Sequence, residues 1–217
     1  MSTNSACEAV HRLYQDLGAR RLIVGSAGNV SLRVPEGMVV TPSGGSPEGV
    51  SAREMVVVRP DGQVLSGSGT PSSESPMHAA IYQAYPAAGC IIHTHADACT
   101  ALACLNQDLP AFHYMVVQFG GETVRCAPYV TFGTPALADL AVKALEGRTA
   151  CLLANHGMIV FGDGPDQALA RAVLLETLCR QFLMARAAGT PRLLTNKEMA
   201  AAKQRFRTYG SRPDAER

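Results

Sequence analysis

Cys90-Ile91-Ile92-His93-Thr94-His95 sets two histidines two residues apart at the end of a short apolar run. A run of this length and composition reads as a buried strand, and side chains at i and i+2 of a strand project from one face. Both imidazoles would then look to the same side of a sheet. Two such rings can share a cation, but they can equally satisfy backbone partners, because a neutral histidine offers one donor and one acceptor. A third histidine, His156, follows a second apolar run, Thr149 to Ala154, and precedes Gly157. If both runs lie in one sheet, their ends can bring three imidazoles around one ion. Three histidines with an open position are the pattern of a catalytic site, since structural zinc is closed by four protein ligands.

Outward from these runs the chain alternates helical and strand signals. Ser5 to Arg20 carries Ala6, Val10, Leu13, Tyr14 and Leu17 on one helical face, and Gly18 supplies a stop signal. Strands are expected at Val30 to Val34, Met38 to Thr41 and Met55 to Val58, separated by turn residues at Pro35-Glu36-Gly37 and Asp61-Gly62. Pro76 to Tyr85 reads as a helix with Ser75 as N-cap, followed by helices over Ala98 to Leu105, Pro135 to Leu145, Asp166 to Ala188 and Asn196 to Tyr209. Helices that precede and follow strands predict a sheet covered on both faces, and the short turns between early strands predict mixed or largely antiparallel pairing. A length of 217 residues suits one domain.

Composition narrows the function classes. Net charge is +1, with 17% charged and 47% hydrophobic residues. The basic residues are scattered until Arg205, Arg207 and Arg212, so no phosphate-binding stripe for nucleic acid is expected. A charge-poor surface favours oligomerisation. Seven cysteines without a CxxC pair read as small buried hydrophobes in a reducing compartment. No membrane span and no basic-then-apolar leader is evident, so the cytoplasm is the expected location.

Glu74 stands out in the polar run Pro71-Ser72-Ser73-Glu74-Ser75 just before a helix, as a fourth ligand or a base, although an acid there can simply favour the helix dipole. Three segments, Ser26-Ala27-Gly28-Asn29, Thr41-Pro42-Ser43-Gly44 and Ser72-Ser73, are rich in small donors. Together they can cradle a phosphate without a lysine; singly, each is an ordinary turn.

Eight blocks in order resemble the class II aldolase/adducin family: GSAGNVSLR (25–33), VVTPSG (39–44), PSSE (71–74), IIHTHA (91–96), HYMVVQFGG (113–121), CAPYVTFGT (126–134), LLANHG (152–157) and RFRTYG (205–210). They are most similar to the branch that cleaves L-fuculose 1-phosphate. The resemblance implies a three-layer αβα sandwich around a mostly antiparallel sheet, and a homotetramer with active sites between subunits. It implies Zn2+, for which other divalent transition metals can substitute. By position, His93, His95 and His156 match the metal ligands, and Glu74 matches the acid/base that can also approach the metal. Gly28, Asn29, Thr41, Ser43, Gly44, Ser72 and Ser73 match the phosphate cradle. Tyr114 matches the tyrosine that enters a neighbouring subunit's site and protonates the aldehyde oxygen. Phe132, Phe206 and Tyr209 match the aldehyde pocket, the last two on a C-terminal tail expected to be mobile from about residue 205; aromatics in such places also often just pack.

The implied reaction is cleavage or formation of a ketose 1-phosphate, yielding dihydroxyacetone phosphate and a small aldehyde. Relatives with the same histidines and glutamate include 5-deoxy- and methylthio-ribulose 1-phosphate aldolases and decarboxylases of 3-oxo-tetronate 4-phosphates. Glutamate rather than aspartate at position 74 argues against a phosphopentose 4-epimerase. Retention of the three histidines argues against a non-catalytic adducin-like interaction module. No lysine lies inside the blocks, so a Schiff-base route has no local candidate.

Overall fold

A computed structural model describes residues 2–208. Its strands are β1 (Gly28–Val34), β2 (Gly37–Val40), β3 (Val56–Val58), β4 (Val64–Ser66), β5 (Cys90–Thr94), β6 (Cys126–Ala127), β7 (Ala150–Leu153) and β8 (Gly157–Gly162). The helices are α1 (Thr3–Ala19), α2 (Ser75–Ala84), α3 (Asp97–Ala103), α4 (Pro135–Ala144), α5 (Pro165–Ala188) and α6 (Asn196–Phe206). One sheet runs β4-β3-β2-β1-β5-β8-β7-β6. Every pair in it is antiparallel except β6 with β7. The expected layered architecture is therefore present, and the mixed character comes from a two-residue edge strand.

Strict alternation along the strands builds two cores. Leu32, Val39, Ile92, Leu152 and Val160 face α1, α3 and α5, while Met38, Val40, Ile91, Cys151 and Ile159 face α2 and α4. Ile91 and Ile92 are fully buried on opposite faces, each stabilising the fold by roughly 1.5–3 kcal/mol. A one-residue slip of β5 would reverse both and turn His93 away from its face, so the apolar pattern that holds the strand also aims the histidine.

Several elements depart from the sequence reading, the two-residue β6 among them. Strand β8 follows β7 after only three residues, so Leu153 pairs with Gly157 across a turn containing Asn155 in the left-handed region (φ 53°). Strand β4 is exposed along its length and lacks the alternation that betrays a half-buried strand. Residues Tyr114–Phe119 form a 3-10 helix that no periodicity announces. At α2 the cap is Glu74 rather than Ser75, and the Glu74 side chain makes no cap hydrogen bond. No described helix is long and apolar enough to cross a membrane. Four of the seven cysteines are buried, Cys7 and Cys126 are half-buried, Cys104 is exposed, and all are free.

Candidate metal centre

Antiparallel pairing of β5 with β1 and β8 puts the site where three chain segments end side by side. Asn29 lies opposite His93, and Thr94 lies opposite both Gly28 and Met158. Gly28 (φ 140°) is required there: a Cβ would stand 2.8 Å from the His93 carbonyl oxygen. Gly157 is required for the same reason, since its Cβ would meet the Thr94 carbonyl oxygen at 2.3 Å. That close approach lets the β7–β8 turn bring His156 up to β5.

His93, His95 and His156 converge edge to face, with ring centroids 4.7–5.0 Å apart. His95 lies one residue beyond the end of β5, not within it, and its Nε2 is 3.1 Å from His93 Nε2. Glu74, reaching down from the start of α2, places Oε2 3.1 Å from His93 Nε2 and Oε1 3.4 Å from His156 Nε2. The carboxylate that might have served the helix end is directed at the histidines instead.

The donor set fits a divalent cation. One ligand atom from each of the four residues lies within 4.8 Å of every other. Ligands about 2.0–2.1 Å from a tetrahedral ion sit about 3.3–3.4 Å from one another, close to the three spacings just given. His93 Nδ1 stands 2.9 Å from the Met158 carbonyl oxygen, which can only accept, so Nδ1 carries the proton and Nε2 presents its lone pair. Glu74 Oε1 is buried without a hydrogen bond, a cost that a cation would relieve.

Electrostatics keep the set in ligand form. Burial, reinforced by His93, holds His156 down at about 4 despite Glu74, and the same pair of causes lowers His95. Both are neutral imidazoles at pH 7. Burial by itself raises the Glu74 carboxyl, but His93, His156 and the Asn29 amide outweigh it and leave the group well below the usual carboxylate range.

The three donor-rich segments also meet. Asn29 Nδ2 donates to Glu74 Oε2 (2.9 Å), Ser72 N–H donates to the Thr41 carbonyl oxygen (3.2 Å), and Thr41 Oγ1 accepts from Val30 N–H (3.2 Å). Ser43 N–H bonds the Thr70 carbonyl oxygen (2.8 Å), and the space where a Gly44 side chain would lie is open. Ser72 is buried and Ser73 exposed. Asn29 Oδ1 is buried and without a partner among the described residues. Tyr14, from α1, donates its hydroxyl to the Gly45 carbonyl oxygen (2.7 Å) and ties this loop to the core.

The aromatic candidates are elsewhere. Tyr114 is 49% exposed, its ring stacked on His113 (4.7 Å) and on Phe206 (5.9 Å), and it makes no ring contact or hydrogen bond with the histidine cluster of its own chain. Phe132 is 64% exposed, in a turn whose Gly133 lies against Ser73. Phe206 closes α6, and Tyr209 lies outside the described residues. Lys143, Lys197 and Lys203, the only lysines, are exposed on helices.

Sequence reasoning passed over His78, one helical turn after Glu74. It is buried, with Nδ1 2.7 Å from Ser31 Oγ, which in turn lies 2.9 Å from the Tyr82 hydroxyl. This polar chain pins α2 to β1 beneath Glu74. The i, i+4 spacing from Glu74 was the available signal.

Comparison with known proteins agrees with this geometry. The profile of the Class II Aldolase and Adducin N-terminal domain matches residues 8–183. The chain is 41% identical over 186 residues to the 5-methylthioribulose-1-phosphate/5-deoxyribulose-1-phosphate aldolase of Rhodospirillum rubrum, a match spanning 86% of this chain and 84% of that protein. It is 40% identical over 189 residues to the L-fuculose phosphate aldolase of Escherichia coli, covering 87% of both. A solved L-fuculose 1-phosphate aldolase superposes with a TM-score of 0.90 at 35% identity, over 95% of this chain and 98% of that one. A profile that spans most of the chain, relatives matched nearly end to end and a shared fold around the histidine cluster place this chain in the class II aldolase and adducin family, as a metal-dependent aldehyde-lyase.

Proposed function

We propose that the chain cleaves and forms a ketose 1-phosphate, releasing dihydroxyacetone phosphate and a small aldehyde, with Zn2+ held by His93, His95 and His156 and approached by Glu74. The observation that carries the reading is the Glu74 carboxylate, 3.1 Å from His93 and 3.4 Å from His156 within the three-imidazole cluster and hydrogen-bonded to Asn29. Imidazole-rich sites suit zinc, and other divalent transition metals compete for them.

Deprotonation beside a ketone is the difficult step, because the negative charge that follows has little to stabilise it in water. A bound divalent cation supplies Lewis-acid stabilisation of that charge. Glu74 takes the proton from the carbon and returns it in the reverse direction. Asn29, fixed to the carboxylate at 2.9 Å, sets its orientation. Gly28, Thr41, Ser43, Gly44, Ser72 and Ser73 hold the phosphate and so place the reacting carbon; no lysine is needed where backbone N–H groups and hydroxyls converge. Tyr114 removes the proton from the C4 hydroxyl in cleavage and returns it to the aldehyde oxygen in synthesis. Exposed and stacked on His113 and Phe206 rather than on its own chain's cluster, it serves a neighbouring subunit's site in a homotetramer. Phe132, Phe206 and Tyr209 shape the aldehyde end. Residues 1–217 act as one catalytic unit in the cytoplasm.

Two substrates lead. The relatives named for L-fuculose phosphate and for methylthio- or deoxy-ribulose 1-phosphate match this chain almost equally, at 40% and 41% identity. These substrates share the phosphorylated three-carbon end and differ at the aldehyde. Assay of the purified protein on both ketose phosphates and on a 3-oxo-tetronate 4-phosphate, with and without chelator, tests the reading. Chelator-sensitive release of dihydroxyacetone phosphate is expected; carbon dioxide release from the oxo acid alone would replace the aldolase by a decarboxylase. Within that assay, Glu74→Gln is expected to retain metal while losing about 10²–10⁴-fold in turnover, and normal turnover would remove Glu74 from the base role.

A further inference from the structure

His95 and His156 both sit outside regular strand, yet one short helix borders them both. His95 stands between the end of β5 and Ala96, the cap residue of α3. At the other end of α3, the Ala103 carbonyl oxygen accepts from Asn155 N–H (3.3 Å), and Asn155, with φ 53°, immediately precedes His156. Any shift of α3 therefore moves two of the three imidazoles.

A seven-residue helix has little stability of its own. Its cap position is Ala96, which has no side-chain oxygen for the free N–H groups of the first turn. That acceptor comes from α5. Glu176 accepts from Ala98 N–H through Oε1 and Oε2 (3.0 and 3.1 Å) and from Cys99 N–H through Oε2 (2.9 Å). Glu176 is 5% exposed, and its ion-pair partner Arg180 at 3.1 Å has a side chain 64% exposed. Its neighbours Cys99, Leu102, Leu175 and Cys179 are buried and apolar. A carboxylate taken out of water at such a place costs several kcal/mol unless its oxygens are satisfied. Packing of α3 on α5 would be served as well by an apolar residue, so the charge is retained for what it holds.

We propose that Glu176 is a positioning residue of the metal centre. By clamping the first turn of α3 it sets His95 at one end of the helix, and through the Ala103–Asn155 hydrogen bond it sets His156 at the other. The inference rests on the metal reading of the four-residue cluster.

The test titrates the full chain with Zn2+ against a chromophoric chelator, and with Co2+ followed by visible absorption, well below the unfolding temperature. Glu176→Ala is expected to bind Zn2+ about 10–100-fold more weakly and to show an altered Co2+ spectrum. Glu176→Gln, which keeps one acceptor oxygen, is expected to fall between. Leu13→Ala, a core cavity on α1, lowers thermal stability alone and is expected to bind both ions as wild type does. Equal affinity and an unchanged Co2+ spectrum in Glu176→Ala would overturn the positioning role. A wild-type protein that binds neither ion would instead overturn the metal reading. Should Glu176→Ala not fold, Glu176→Gln decides: weaker binding supports the role, and wild-type affinity removes it.

Discussion

The histidine cluster and the aromatic residues proposed for the aldehyde end are built in opposite ways. Glu74, His93, His95 and His156 come from three segments of one chain, lie close enough to hold an ion, and are held by strand pairing, the His93–Met158 bond and the Asn29 amide. Tyr114 opens a 3-10 helix and is half-exposed, Phe132 is exposed in a turn, and Phe206 ends the last described helix, packed on the core and stacked on Tyr114. The contrast teaches that the part of the site that must stabilise developing charge is preorganised within the fold, where reorganisation would be costly. The part proposed to select the aldehyde rests on surface elements, which in the proposed homotetramer a second copy of the chain would complete.

That contrast can be broken at its rigid end first. Because the cation stabilises charge worth several kcal/mol, His156→Ala is expected to lose bound metal and about 10³-fold in turnover, measured by metal content and by release of dihydroxyacetone phosphate. Full turnover in metal-stripped protein would dissolve the distinction altogether. At the open end, Tyr114→Phe is expected to slow cleavage about 10²-fold while exchange of the proton on dihydroxyacetone phosphate with solvent continues. Equal loss of both reactions would mean that Tyr114 belongs to the rigid half after all.

The smallest expected effect concerns the loop that follows Ser43 and Gly44, tied to α1 by Tyr14. Burial, with a contribution from Glu48, pushes the Tyr14 hydroxyl up to about 12, and that hydroxyl donates to Gly45. An unfolded tyrosine ionises near 10, so between about pH 10 and 12 the unfolded state loses its proton first and folding weakens as pH rises. Tyr14 therefore contributes stability in full below about 10. Tyr14→Phe is expected to lower stability by about 1 kcal/mol at neutral pH and to flatten the alkaline decline. An unchanged slope in chemical denaturation from pH 9 to 12 would remove Tyr14 as its source.

Much of this was legible in one dimension. The β5 run with its two histidines, the helices α1, α4 and α5 within a residue or two of their ends, and Glu74 beside a helix start all rest on local signals: periodicity, proline and glycine punctuation, and buried β-branched runs. Strands β4 and β8 and the 3-10 helix at Tyr114 were not legible. The first has no buried face, the second is joined to β7 by a turn that depends on a left-handed Asn155, and the third has no periodic signature. At α2 the cap shifted by one residue because the competing demand on Glu74 comes from histidines distant in sequence.

By itself, the sequence pointed to the residues that can bear the chemistry and to the face of β5 on which His93 stands, because side-chain alternation and burial are local properties of a strand. Only the tertiary structure decided that Asn29 holds Glu74, that His78 and Ser31 pin the helix beneath it, and that Glu176 clamps α3 from 77 residues or more away. Those bonds join segments whose separation along the chain carries no periodic trace, and they exist only once the sheet order has brought the strand ends together.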